Sequence, residues 1–164
     1  MTLIPRPATE RDALGLSELY GRAFGTLLAQ DYAPDLLTAC LPLLCRANRA
    51  LYKSGQYHVV EDPQTGRLIA AGGWTWERPG SGARQPGIAH IRHFATDPSH
   101  LQRGHGRLIF NACQAQAKAP VFECYSTLTA APFYQSVGFQ EIGPIKIPLA
   151  PGLLFPSVHL RSGG

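Results

Sequence analysis

Residues 88–118, IAHIRHFATDPSHLQRGHGRLIFNACQAQAK, decide how the chain is read. The apolar and β-branched run Ile88–Thr96 predicts a strand, and Asp97-Pro98-Ser99 predicts a turn. Gly104-His105-Gly106 then opens a segment with Leu108, Ile109, Ala112, Cys113 and Ala115-Gln116 at helical spacing. A helix start exposes backbone N–H groups without partners and the positive end of the macrodipole. Glycine there lets the backbone come close to a ligand, because no Cβ intervenes. Arg103 and Arg107 flank the glycines with fixed positive charge. Together these features describe an anion site suited to a pyrophosphate. The same glycines also serve a plain tight turn between strand and helix, so the rest of the chain has to weigh in.

Working outward, 164 residues fit one domain, residues 1–164, with enough length for a real core. A hydrophobic share of 45% and a charged share of 16% place the chain with ordinary globules and exclude a disordered segment. The net charge of +4 comes mostly from arginine, twelve against three lysines, which favours fixed, bidentate anion contacts. The arginines are scattered, so no nucleic-acid stripe is expected. Cys40, Cys45, Cys113 and Cys124 form no CxxC pair and read as reduced thiols. The N-terminus lacks a signal-peptide pattern and no run approaches a membrane span, so a cytoplasmic protein without a membrane partner is expected.

Along the chain, Thr2–Arg6 is expected as a first strand. Thr9 with Glu10, Arg11 and Asp12 resembles a helix cap, and Leu16, Leu19, Tyr20 and Phe24 form a buried stripe that Gly25 ends or bends. Pro34 to about Lys53 is a second helical region, broken or kinked at Pro42. Tyr57–Glu61 and Arg67–Trp76 read as strands joined by a hairpin-type connection, and Pro79–Gly87 as a loop. After the central strand and helix come a fifth strand at Val121–Ser126 and a short helix at Ala130–Val137. Two last strands, Phe139–Pro148 and Pro156–Arg161, are joined by a loop between them. The order β-α-α-β-β-β-α-β-α-β-β implies a mixed sheet of the α+β type rather than a doubly wound one.

That order, with two local patterns, resembles the GNAT superfamily of acetyl-CoA-dependent N-acetyltransferases over essentially the whole chain. HFATDPSHLQRGHGRLIF is similar to the family's Gln/Arg-x-x-Gly-x-Gly/Ala signature after the fourth strand, and LTAAPFYQSVGF to its short helix ending in Tyr-x-x-x-Gly-Phe. Leu101 stands where the family carries Gln or Arg. The departure bears on one side-chain contact, because the family holds its phosphates mainly through backbone N–H groups. The resemblance implies a six- to seven-stranded mixed sheet with splayed fourth and fifth strands and about four helices. It also implies acetyl-CoA as cosubstrate, with the backbone of Phe94, Ala95 and Thr96 pairing with the pantetheine arm. Gln102, Arg103, Gly104, His105, Gly106 and Arg107 would hold the pyrophosphate, and Phe133 would border the cofactor.

Acetyl transfer to an amine needs the amine deprotonated and the departing thiolate protonated. Tyr134 matches the family's tyrosine, whose hydroxyl reaches the CoA sulfur, and otherwise reads as an aromatic packed beside Phe133 and Phe139. His90 stands where histone-modifying relatives carry a basic glutamate. On a regular strand it shares one face with Arg92, Phe94 and Thr96, while Ile91, His93 and Ala95 share the other. Its imidazole is a candidate base, with a water chain, Glu77 and Glu123 as alternatives. His90 and His93 point apart on such a strand, and no metal-ligand spacing occurs, so no metal is expected. Trp74 and Trp76 either wall the acceptor pocket or pack in the core. Cys113 and Cys124 lack an evident base partner, which disfavours a covalent acyl-enzyme.

The acceptor is expected to be a small-molecule or peptide amine of unspecified identity, and the last strands leave a homodimer open. A rival from another class is a non-catalytic acyl-CoA-binding or sensing domain on the same fold. A dinucleotide-binding enzyme fails because Ile109 occupies the third glycine position.

Overall fold

The computed structural model describes residues 3–163. Within them, seven strands form one sheet in the order β1-β2-β3-β4-β5-β7-β6. The strands are β1 (Arg6–Pro7), β2 (Tyr57–Glu61), β3 (Leu68–Thr75), β4 (Ile88–Thr96), β5 (Val121–Thr127), β6 (Gln140–Ala150) and β7 (Leu153–Ser162). Five α-helices accompany them: α1 (Ala13–Leu27), α2 (Pro34–Leu44), α3 (Arg49–Lys53), α4 (His105–Ala117) and α5 (Ala131–Ser136). Only β4 and β5 run parallel; every other neighbouring pair is antiparallel.

The sheet has a core on each face. On one, α4 and α5 bury Ile109, Phe110, Cys113 and Tyr134 against Ile91, Phe122, Cys124 and Leu160. On the other, α1 buries Leu16, Leu19, Tyr20 and Ala23 against Val59, Leu68, Ala71 and Ala95, and α2 seats Leu37 and Cys40 beside Phe155. The α1 stripe follows helical spacing, and a capping box between Thr9 and Asp12 starts the turn that leads into it.

Several local boundaries differ from the sequence expectation. The first strand is Arg6–Pro7 rather than Thr2–Arg6, and Thr2 lies outside the described residues. Gly25 neither ends nor bends the chain there but stays within α1, which runs on to Leu27. Pro42 falls in the last turn of α2, and the helix ends two residues later; α3 is a separate helix capped by Asn48. The loop expected between residues 148 and 156 is strand almost throughout, with β6 and β7 meeting at Pro151-Gly152, where Gly152 takes positive φ.

The feature that shapes the site is a bulge in β4. Ala71 pairs with Ala95 and Gly73 with Arg92, so the single residue Gly72 faces both His93 and Phe94. His93 adopts φ 54°, a left-handed conformation rare outside glycine. Gly72 makes room for it, because a Cβ there would overlap the Phe94 ring. Beyond the bulge the alternation slips by one. His90, Arg92 and Ala95 therefore share the α1 face, and Ile91, Phe94 and Thr96 share the α4 face. The regular-strand expectation that joined His90 and Arg92 to Phe94 and Thr96 is corrected accordingly.

A buried tyrosine cluster holds the bulge. The Tyr57 hydroxyl donates to the His93 carbonyl at 2.5 Å, and Tyr20 bridges the hydroxyls of Tyr57 (2.7 Å) and Tyr52 (3.0 Å). Farther along, Asp97 anchors the end of β4. Its carboxylate accepts from Arg22 Nε at 2.7 Å and from the Ser99 backbone N–H and hydroxyl at 2.9 and 2.6 Å. Burial alone would raise the Asp97 pKa, but the Ser99 hydrogen bonds and Arg22 outweigh it and hold the carboxyl well below the usual range.

Two outcomes are expected. Tyr57→Phe leaves the His93 carbonyl unpaired in the interior and should cost about 1–3 kcal/mol in chemical denaturation. Asp97 is ionised in the fold at pH values where the unfolded chain is already protonated. Its stabilisation is thus complete above about pH 4 and lost as the pH falls below that. Asp97→Asn should lower stability at pH 7 and flatten that acid limb in denaturation midpoints measured from pH 2 to 7.

Candidate active site

Pairing between β4 and β5 covers only Ile88–His90 against Val121–Glu123. Past that point the strands part, and the β5-facing edge of β4 has no strand partner. A cavity of about 160 Å³ lies in the gap. Ile91, Phe94, Cys124 and Tyr134 line it from the α4 side, while Phe24, Leu44 and Phe155 close it from the α1 and α2 side. The gap is thus lined from both faces of the sheet. A larger cleft of about 310 Å³ over Arg6, Asp12 and Glu61 lies at the far edge of the sheet, where those charges pair with one another.

At the far end of β4, α4 begins at His105 behind Gly104, which takes φ 81°. The first intrahelical bond is from the Leu108 N–H to the Gly104 carbonyl. The N–H groups of His105, Gly106 and Arg107 thus point out of the helix end. No side chain caps that end, and a Cβ on Gly104 would meet open space. Gln102 also takes positive φ, at 58°, turning the loop back toward the helix. These features suit a phosphate-bearing ligand held by backbone.

The two glycines differ in purpose. A Cβ on Gly106 would sit 2.9 Å from the Phe133 ring, so that glycine serves the packing of α4 on α5 rather than a ligand's approach. The side chain of His105 is buried beside His100, which leaves only its N–H for an anion. Arg107 donates to the Ser136 carbonyl at 3.2 Å and ties α4 to α5, while Arg103 is exposed. Leu101 is exposed as well and offers no polar group at the position where the family signature carries one.

Tyr134 is only 3% exposed and packs against Phe94, Phe133 and Phe139, at ring distances of 5.8, 5.1 and 5.4 Å. Its hydroxyl faces the Cys124 thiol. Burial first, and then the neighbouring thiol, push its pKa well above that of a free phenol, so it is a neutral donor on the gap wall. Burial likewise raises the thiols of Cys113, to about 12, and Cys124, which speaks against either as a nucleophile.

His90 is 2% exposed, with Nδ1 4.0 Å from Glu123 Oε2 and Nε2 unpartnered. Burial lowers its pKa, with Arg78, Arg92 and His159 adding to the effect and Glu123 opposing it. It is a neutral imidazole at pH 7. Glu123, whose face the sequence left open, lies on the same face and is buried beside two guanidiniums and an imidazole. Arg78 Nη2 is 3.4 Å away, His159 Nε2 3.4 Å and Arg161 Nη1 3.5 Å. Glu77 pairs instead with Arg84, at 3.6 Å, in the β3–β4 connection.

His93 is a site residue that regular alternation hid. The bulge turns its ring onto the cavity, against Tyr20 and Phe24 at 4.3 and 5.5 Å, with Nε2 sealed and unpartnered. Burial lowers its pKa to about 4. The adjacent Gly72-Gly73 was the available signal, since small residues opposite a strand favour a bulge. Trp74 and Trp76 do not wall the gap. They pack edge to face at 5.0 Å in the α4 core, and Trp74 Nε1 donates to Gln116.

Comparison with known proteins agrees with this geometry. The fold matches a GCN5-related N-acetyltransferase from Rhodopseudomonas palustris, with TM-score 0.76 and 16% identity over 100% of this chain and 97% of the other. It also matches the PaiA N-acetyltransferase of Thermoplasma acidophilum, solved in complex with coenzyme A, with TM-score 0.71 and 10% identity over 100% of both chains. A third match is a histone acetyltransferase HPA2 and related acetyltransferase from Corynebacterium glutamicum, with TM-score 0.64 and 20% identity over 100% and 98%. At these identities the likeness speaks to fold alone. No curated protein matches the sequence significantly. Residues 53–141, more than half of the chain, match the acetyltransferase (GNAT) domain. The chain belongs to the GNAT acetyltransferase family.

Proposed function

We propose that this protein is an N-acetyltransferase that moves an acetyl group from acetyl-CoA to a primary amine by direct attack. The observation that carries the reading is the free edge of β4. It leads from the gap beside Tyr134 to the uncapped N-terminus of α4. An extended ligand with a phosphate at one end and a reactive group at the other fits that path. Acetyl-CoA would bring the activated acyl group as a thioester. The N–H groups of His105, Gly106 and Arg107 would hold its pyrophosphate, with Gln102 and Arg103 at the loop. Phe94, Ala95 and Thr96 would offer backbone groups to the pantetheine arm, and Phe133 would pack at its side.

Tyr134 is the proposed acid. A neutral phenol on the wall of the gap can give its proton to a departing thiolate. His90 is the proposed base. If Nδ1 carries its proton toward Glu123, the lone pair on Nε2 is available to the incoming amine. Glu123 is then a positioning residue, and its oxygens are already engaged by Arg78, His159 and Arg161. His93, lower in pKa and enclosed by Tyr20 and Phe24, is proposed as a wall of the pocket. Free cysteines, three of the four buried, fit the reducing conditions of the cytoplasm, the proposed location.

In calorimetric titration, acetyl-CoA and CoA should bind and NAD should not. Tyr134→Phe should keep that affinity and lower kcat about 100-fold, read as thiol release with a panel of amines. An unchanged turnover would remove Tyr134 from the chemistry. A protein that binds CoA but releases no thiol with any amine would instead be a binding domain.

With rates expressed per unprotonated amine, kcat/KM should rise with pH through an ionisation below about 6.5, the ordinary histidine value. His90→Gln should remove that limb and lower the plateau, whereas His93→Gln should keep it.

A further inference from the structure

Strand register places Thr75, His90, Arg92, Glu123, His159 and Arg161 on one face of the sheet, the α1 face, where β4 and β5 begin to part. This strip is uneven in charge. Arg78 and Arg161 both reach Glu123, and Glu77 is taken by Arg84. Arg92 has no such partner. Its Nε donates to Thr75 Oγ1 at 2.9 Å, and among the described residues no carboxylate oxygen lies within 4.0 Å of its guanidinium. Burial lowers its pKa, and the charge of Glu77, beyond ion-pair distance, offsets this only in part. The fold thus keeps a half-buried guanidinium whose outer fork is uncommitted, one residue before the bulge that opens the gap.

A second observation lies next to it. His90 is almost fully buried, shares the face with Arg92, and leaves Nε2 without a partner. A ligand that satisfied both groups would present an amine to the imidazole and an anion to the guanidinium. Resting on the transferase reading above, we propose that Arg92 recognises a carboxylate on the acceptor, so that the amine acetylated here is amino-acid-like, with its carboxylate close to the amino group.

The chemistry narrows the anion. Arg78 and Arg161 flank the carboxylate of Glu123, whose charge opposes a dianionic phosphate more than a monoanion. A planar guanidinium fork matches a carboxylate in two parallel hydrogen bonds. The cofactor's phosphates are a poor alternative. Their proposed cradle at α4 lies beyond the other end of β4, and α4 packs on the opposite face.

The test uses the full chain, acetyl-CoA and matched acceptors: a panel of α-amino acids and the carboxamide of each, with rates per unprotonated amine. Wild type should favour the acid over its amide at least ten-fold in kcat/KM. Arg92→Gln should bring that ratio close to one, mainly through KM for the acid. Arg92→Lys, which keeps the charge and loses the fork, should fall between. It also decides the matter if Arg92→Gln proves unfolded by its melting curve. Equal use of acid and amide by wild type, or an undiminished preference in both variants, overturns the carboxylate assignment while leaving the transferase reading intact. Thiol release with other primary amines but with neither acids nor amides overturns this inference alone; no thiol release with any amine overturns the transferase reading, and this inference with it.

Discussion

The hydrogen bond from the Tyr57 hydroxyl to the His93 carbonyl fixes an unfavourable piece of backbone on which the site depends. A non-glycine residue at φ 54° carries strain and persists only where its surroundings hold it. Here Tyr57 takes the carbonyl, Tyr20 and Tyr52 back it from α1 and α3, and Gly72 leaves the Phe94 ring its space. The extra residue bends β4 and changes which side chains face which way. Three parallel pairs hold β4 to β5 before the bend, and after it the strands part. The same device makes the cavity, frees an edge of backbone and turns His93 into the pocket wall.

From that constraint follow two different ways of handling negative charge. At α4 the donors are backbone N–H groups at an uncapped helix end, with positive-φ loop residues shaping the approach. A backbone cradle keeps its geometry when nearby side chains vary, which is why Leu101 is tolerable there. On the opposite face the donors are side chains, and their arrangement is particular to this chain. Glu123 draws Arg78, His159 and Arg161 into one cluster, while Arg92 stays outside it. The first arrangement suits a common cofactor; the second carries the information about the acceptor.

Much of this was legible in the sequence. Hydrophobic periodicity placed α1, α4 and the central strands. The Asp97-Pro98-Ser99 turn and Gly104 marked the loop, and the tyrosine before Val137-Gly138-Phe139 marked the helix on the gap. What failed did so for identifiable reasons. Alternation along β4 assumed a strand without insertions, so Phe94 and Thr96 were assigned to the wrong face and His93 was set aside. Gly106 looked like a phosphate-loop glycine, yet it answers to the Phe133 ring, a contact with a residue 27 positions away. The face of Glu123 and the isolation of Arg92 depend on register with β3, β4 and β7, which no local pattern encodes.

The choice of an imidazole over a carboxylate as base follows from the same register. A carboxylate serves as a base only with a lone pair free to take the incoming proton. Glu123 is buried and both its oxygens are taken: Oε2 accepts from Arg78 at 3.4 Å and Oε1 from Arg161 at 3.5 Å, with the imidazoles of His90 and His159 beside them. Freeing one of those oxygens would cost the buried carboxylate one of its two guanidinium partners. His90 has no ion pair of that kind to give up: its Nε2 is buried and unpartnered. Glu123 keeps a use in that arrangement: facing Nδ1, it favours the tautomer that leaves Nε2 unprotonated, and it steadies the ring if a proton arrives. In the proposed arrangement a buried imidazole facing a carboxylate takes the place that a glutamate holds in histone-modifying relatives. The guanidinium beside it is what would give the strip its proposed preference among amines.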